Sequence, residues 1–271
     1  TINYAFIDIG PYIMDEMETQ LADFLDVSTD KGVWVDYRTR NITSGTPGAW
    51  TSFTEQVALP GYGRFIDGTL ASFVPSNSGV LMTSGITIYI PEGERLTVPV
   101  PNNGTLDEAT WFDGTTHTTI EASPGSATDT NAVVLYEREP VDLETTGIYR
   151  FDGVDTYSLR ANIERVPDPN NQATRIYFMN RLGAIQEMWF FGRKNESFSV
   201  KGITTRRDTK RWAGFDRERH QYIDYSKNGR QTYTLNSGFQ VEANNELFKE
   251  LLMSEQIWMD EGINKVPVRI I

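Results

Sequence analysis

The chain has 271 residues, a formal net charge of −12, 39% hydrophobic and 12% aromatic residues, and no cysteine. So many large apolar side chains exclude a disordered polymer, and the missing thiols exclude disulfide staples, thiolate metal sites and cysteine nucleophiles. No apolar run approaches the roughly 20 residues that cross a bilayer as a helix, and no basic stretch precedes an apolar one near residue 1, so neither a membrane span nor a secretion signal is expected.

In chain order, YAFIDIG predicts a short strand and PYIMDEMETQLADFL a helix, with Pro11 in its first turn and Tyr12, Ile13, Met17, Leu21, Phe24 and Leu25 as its apolar stripe. GVWVDYRTRNI alternates Val33, Val35 and Tyr37 with Trp34, Asp36 and Arg38, the pattern of a strand with unequal faces. Residues 41–50, rich in Ser, Gly, Thr and Pro, read as a turn or insertion, and SFTEQVAL resumes a strand. ITIYI (86–90) and RLTVPV (95–100) are strands around a PEGE turn. Residues 101–131 are dominated by small polar and turn-forming types, which predicts an exposed loop or a decorated edge before AVVLYERE returns to the sheet.

A boundary is expected at 140–146, followed by strands in GIYRF, TYSLRANIERV, ESFSVKGITTR and QTYTLNSGFQVEA. The chain is organised around residues 174–205, where RIYFMN and AIQEMWFFG flank Arg181-Leu182-Gly183 and predict a hairpin with Gly at a positive-φ position. Trp189, Phe190 and Phe191 are consecutive, so a strand here needs a second packing layer or a partner surface, and Ile176, Phe178, Ile185 and Trp189 are expected in a core or buried interface. ANNELFKELLMSEQIWM predicts a helix that gathers Leu247, Leu251, Leu252, Ile257 and Trp258, capped by Asn244 or Asn245. VPVRII reads as a final strand, and the stop after two Ile raises the question of whether residue 271 is the biological end. The expected fold is mainly β, with two β-sandwich-like domains at 1–143 and 144–271 and short peripheral helices.

No catalytic, metal-binding or cofactor-binding set emerges, and no cofactor is expected. His117 and His220 lack the neighbouring ligands of a zinc site. Glu137, Glu139, Asp142 and Glu144 are acidic residues close in sequence, without the separation across a sugar that glycosidases need being established. Asp152, Asp155, Asp168 and Asn170 fall short of a calcium-loop spacing, and Gly61, Gly63 and Gly68 do not form a phosphate-cradling loop. Trp34, Trp50, Trp111 and Trp189 are candidates for core packing, with sugar stacking the alternative. Charge is uneven: residues 193–230 hold eleven Lys or Arg and five Asp or Glu, a net +6 that leaves −18 on the remainder. Arg206, Arg207, Lys210, Arg211 and Trp189 are the candidate protein-interface residues. A basic segment of this kind suits an ordinary solvated face or docking on an acidic protein, and although it could contact DNA phosphates, the intervening Asp208, Asp216 and Glu218 interrupt it.

The ordered segments IDIGPYIMDEM, WVDYRTR, GYGRFIDG, RIYFMNRLGAIQEMWFFGRK, NSGFQVEANNELFKELLMSEQIWM and VPVRII resemble tail or neck structural proteins of phages that infect Bacteroidetes hosts, the crAss-like and related tailed phages. The resemblance touches almost the full chain and implies a noncatalytic virion component, located in the tail or head-to-tail neck. Its implied partners are further copies of itself and other virion proteins. The alternative is a carbohydrate-binding or adhesion module, including a host-recognition tail component that takes a host polysaccharide.

Overall fold

The structure, a computed structural model, describes residues 33–35, 38–43, 46–52, 56–58, 61, 81–83, 85–101, 108–112, 117–120, 133–138, 147–151, 155–159, 162–167, 172–206, 218, 220–262 and 264–271. The expected strand and helix of residues 4–25 lie outside this set. The described chain is mainly β. Its first strands are β1 (Val33–Val35), β2 (Arg38–Thr43), β3 (Thr46–Ser52) and β4 (Gln56–Ala58), then β5 (Thr87–Pro91), β6 (Leu96–Pro101), β7 (Glu108–Phe112), β8 (His117–Ile120) and β9 (Val133–Arg138). There follow β10 (Gly147–Phe151), β11 (Asp155–Leu159), β12 (Asn162–Val166), β13 (Thr174–Met179), β14 (Ile185–Phe190), β15 (Asn195–Arg206) and β16 (Tyr222–Thr234). A 3-10 turn (Glu242–Asn244), the helix α1 (Asn245–Met253), β17 (Ile257–Asp260) and β18 (Lys265–Val268) complete it.

Several segments depart from their sequence reading. Residues 41–50, expected as a turn, hold the end of β2 and most of β3, which pair antiparallel with a bulge at Arg40/Ile42. A two-stranded ribbon has only edge strands, and an edge tolerates the missing N–H of Pro47. The polar 101–131 segment contains the β7–β8 hairpin. The late helix stops at Met253, where Ser254 turns extended, and Ile257 and Trp258 belong to β17. The alternation of Ile257 and Met259 with Trp258 and Asp260 is a period of two and not 3.6.

The β14-β13-β17-β18 sheet is the centre of the body. One of its faces carries Ile176, Phe178, Met188, Phe190, Ile257 and Met259, which meet Ile88, Ile90, Leu96, Val98 and Ile163 together with Leu247 and Leu251 of α1. The opposite face buries Tyr177, Met179 and Ile185 with Trp258 alongside, a small cluster drawn from strands of this same sheet. Ile176, Phe178, Ile185 and Trp189 are all buried.

This core joins residues on both sides of the expected 143/144 boundary. β5 pairs in parallel with β12, and β14 lies against β5 and β6. Asn244, expected to cap α1, makes no side-chain cap bond. Its amide instead accepts from Thr87 N–H (2.9 Å) and donates to Thr87 C=O (2.8 Å), in the manner of a neighbouring strand.

The β13–β14 turn is built on Asn180. Its Oδ1 accepts from the N–H groups of Leu182 (2.9 Å) and Ala184 (3.1 Å), while its Nδ2 donates to the Leu81 carbonyl (2.7 Å) and the Gln186 Oε1 (3.1 Å). Gly183 sits at φ +79 as the sequence suggests, a conformation that costs an L side chain roughly 1–2 kcal/mol. Gly183→Val is therefore expected to lower stability by about that amount or more, β-branching adding to the penalty, as read from the midpoint of urea unfolding.

Candidate interaction arm

β15 and β16 form a two-stranded antiparallel ribbon of 12 and 13 residues that pairs with no other described strand. At about 3.3 Å per residue it is roughly 40 Å long. Every residue of β15 is exposed, and so are most of β16. Such a ribbon is at best marginally stable alone, so its ends and cross-strand contacts have to hold it.

The base is tied into the body. Gly192 N–H donates to the Asn236 carbonyl (2.8 Å), and a Cβ at Gly192 would stand 2.6 Å from the Asn236 side chain, so only glycine lets the two ends close this tightly. Tyr233 and Leu235 pack against the main core. The Lys194 ammonium lies 5.1 Å from the Tyr233 ring centroid, and the Tyr233 hydroxyl donates to Glu261 (3.3 Å). Desolvation, with Glu261 and Glu196 nearby, pushes the Tyr233 hydroxyl above its ordinary value, which keeps it a donor.

Farther out, Gln231 Nε2 donates to Glu196 Oε1 (2.5 Å). Thr204 Oγ1 donates to Asp224 (2.8 Å), and Lys227 pairs with the same carboxylate (2.5 Å). These two donors hold the Asp224 carboxyl below its usual range. Phe198 lies over Gly229, where a Cβ would stand 2.7 Å from the ring. A register shift at Ile203/Thr204 bends the outer third of the ribbon. Phe198 is 66% and Val200 54% exposed, and Ile203, Tyr222 and Tyr225 are equally bare. Apolar side chains left bare on both faces of a ribbon are the signature of a surface awaiting a partner.

Arg206 is the last residue of β15, at the outer end of the ribbon. Arg207, Lys210 and Arg211 fall outside the described residues. Trp189 is displaced from the interface role expected of it. It is 7% exposed within the body, its indole N–H donates to Glu187 Oε1 (3.2 Å), and the Arg175 guanidinium lies 5.3 Å from its ring. A sugar needs a bare ring to stack upon, and this one is covered. Trp34, Trp50 and Trp111 lie in β1, β3 and β7. The recess beside Trp189, bounded by Thr87, Tyr89, Gln240 and Asn244, has a volume of about 10 Å³ and holds one water at most.

The remaining sequence candidates are dispersed. His117 opens β8 and His220 is exposed just before β16. Glu137 lies in β9 and Asp155 opens β11, whereas Glu139, Asp142, Glu144, Asp152, Asp168 and Asn170 lie outside the described residues. Among the described residues no group of three His, Asp or Glu is placed to hold a metal ion. No helix there is long and apolar enough to cross a membrane.

Sequence reasoning marked the basic run and β15 but set the next strand at 231–243, which overlaps β16 only from Gln231 to Thr234, and it missed that the two strands pair into one free-standing arm. The available signal was the mixing of charged and polar residues with the apolar ones in both alternating sets of ESFSVKGITTR, which leaves neither face fit for a core. No protein-family model matches the chain, and neither a similar curated protein nor a similar solved structure was found.

Proposed function

We propose that this chain is a noncatalytic structural component of a phage virion, in the tail or head-to-tail neck, which assembles in several copies and with other virion proteins. The observation that carries the assembly reading is the arm: a ribbon roughly 40 Å long, bare along its length, with exposed aromatic and aliphatic side chains. It lies within the +6 segment of a chain whose remainder is −18. The phage assignment rests on the ordered sequence segments given above. A body cored on both sides of one sheet and a projecting ribbon divide the work between a rigid module and a contact element.

Cryo-electron microscopy of purified particles, with mass spectrometry to identify the density, tests the assignment. Several copies around the tail or neck axis are the expected result, and a protein absent from purified particles would defeat it. A second test concerns charge. Neutralising Arg206, Arg207, Lys210 and Arg211 together is expected to weaken assembly roughly tenfold or more at low salt and within about twofold at ~0.5 M, because screening removes the same attraction. Equal weakening at every salt concentration would reject electrostatic docking.

A further inference from the structure

Register separates the two faces of the arm by charge. Phe198 and Val200 share one face with Glu196, Arg206, Asp224 and Lys227, whose charges cancel. There Gln231 donates to Glu196, and Asp224 takes Lys227 and Thr204. The other face holds Lys201 and Arg230, both exposed, among Ser197, Ser199, Ser226, Asn228 and Thr232. It has no carboxylate along the ribbon, so the net positive charge of the two strands sits entirely here. Arg230 is opposite Ser199 and Lys201 opposite Asn228, which makes the two cations diagonal neighbours in the middle of the arm. Ile203, 67% exposed, lies next along the same face. Asp208, Asp216 and Glu218, which interrupt the basic run in sequence, fall after β15 and before β16.

We infer that the Lys201–Arg230 face of the arm enters the major groove of duplex DNA. Shape allows it: two paired strands with their side chains are about 10 Å across, and the groove, about 12 Å wide, admits a two-stranded ribbon. The side chains match what the groove displays. Arg and Lys bond guanine, Asn bonds adenine, Ser and Thr bond either, and an apolar group such as Ile203 meets the thymine methyl. A dry protein surface would instead seal off two cations and a row of hydroxyls and amides, whereas a DNA interface stays wet. The deep, narrow major groove of duplex RNA shuts such a ribbon out, and a single strand needs stacking aromatics, which none of the paired residues on this face supplies. The acidic remainder of the chain repels DNA, and the arm answers that by length. Lys201 stands roughly 20 Å along the ribbon from Asn195, more than two screening lengths of about 8 Å. With so few cations on the face, one arm holds weakly and its grip is sensitive to salt.

The test titrates the purified full chain into a fluorescein-labelled duplex of about 20 base pairs and mixed sequence, read by anisotropy over a salt series. At ~50 mM salt the midpoint is expected at or below ~100 µM, and Lys201→Gln with Arg230→Gln should raise it about tenfold or more and flatten the salt slope by about two. Ser199→Glu and Val200→Glu add the same charge at adjacent positions on opposite faces. The first is expected to weaken binding about tenfold and the second less than about threefold, with unchanged circular dichroism spectra. No binding at ~50 mM salt overturns the inference, and equal effects of the two glutamates overturn the assigned face. A single strand or an RNA duplex bound as tightly as DNA overturns the groove. Polyglutamate that competes as well as the duplex puts an acidic protein in its place. The inference does not rest on the virion reading: a chain missing from particles that binds the duplex keeps it, and a particle component that ignores the duplex loses it.

Discussion

Phe178→Ala is expected to lower the stability of this protein by about 3–5 kcal/mol, the range for emptying a fully buried phenylalanine site. Phe178 is 0% exposed, in the middle of β13, between β14 and β17, and belongs to the cluster that joins the central sheet to β5, β6 and α1. Its neighbours Met188 and Ile257 lie on the flanking strands and Ile176 two residues away on β13 itself, all positioned by the ladder hydrogen bonds, so the site cannot collapse around the missing ring. Urea unfolding followed by tryptophan fluorescence measures the loss. Phe198→Ala on the arm is the matched control, expected to change body stability by less than about 0.5 kcal/mol. A Phe178→Ala loss below about 1 kcal/mol would mean that the β13 core face is not the centre of the body.

Glu187→Ala is expected to cost a similar amount, roughly 3–5 kcal/mol, for an electrostatic reason. The Glu187 carboxylate accepts from Arg175 Nε (2.9 Å) and from Arg175 Nη2, from Thr97 N–H (3.3 Å) and from the Trp189 indole (3.2 Å). Arg175 also donates to Thr97 Oγ1 (2.9 Å) and the Arg95 carbonyl (3.1 Å), which fastens β6 to the sheet. Its guanidinium stands 4.7 Å from the Tyr177 ring centroid. Truncating Glu187 leaves that guanidinium, 10% exposed, without the carboxylate it is bonded to. Replacing both partners with Arg175→Met and Glu187→Leu should recover most of the loss, since the desolvation cost leaves with the charges. A double variant no more stable than Glu187→Ala would show that the pair acts through something other than charge.

The same carboxyl gives a pH signature. Burial pushes it above its ordinary value of 4.5 against the pull of Arg175, Trp189 and Thr97. The folded state then holds the proton more tightly than the unfolded one, so this contribution is full below the unfolded value and is lost as pH rises through the folded value. Relative to Glu187→Gln, the wild type loses stability upward from the ordinary glutamate range.

What could be read from the sequence was local. Aromatic and branched residues on either side of Gly183 marked the β13–β14 hairpin, its turn and its buried residues, because strand-forming side chains and a positive-φ glycine are written in adjacent positions. ITIYI and RLTVPV were legible for the same reason. β3 was hidden by Pro47 and Gly48, which punctuate a strand that has one partner among the described residues. β17 was absorbed into the preceding helix because Leu247, Leu251 and Trp258, spaced by four and seven, also fit a helical stripe. The parallel pairing of β5 with β12 has no local signal at all, and it is this pairing, with Asn244 on Thr87, that ties the two expected halves together. As for the arm, β15 could be recognised from its residues while most of β16 was hidden in the basic run, and whether anything covers a strand is decided elsewhere in the chain.

The pairing of Thr87 with Asn244 spans 157 residues, and this distance has a consequence during synthesis. At about 5–20 residues per second, a ribosome takes roughly 8–30 s to make the second partner after the first. Until Leu247, Leu251, Ile257 and Met259 arrive, Ile88, Ile90, Leu96 and Val98 lack part of the surface that later buries them. The nascent chain is therefore a client for chaperones over residues 86–98, and production at low temperature or with trigger-factor-type helpers should raise soluble yield more than any change to the arm.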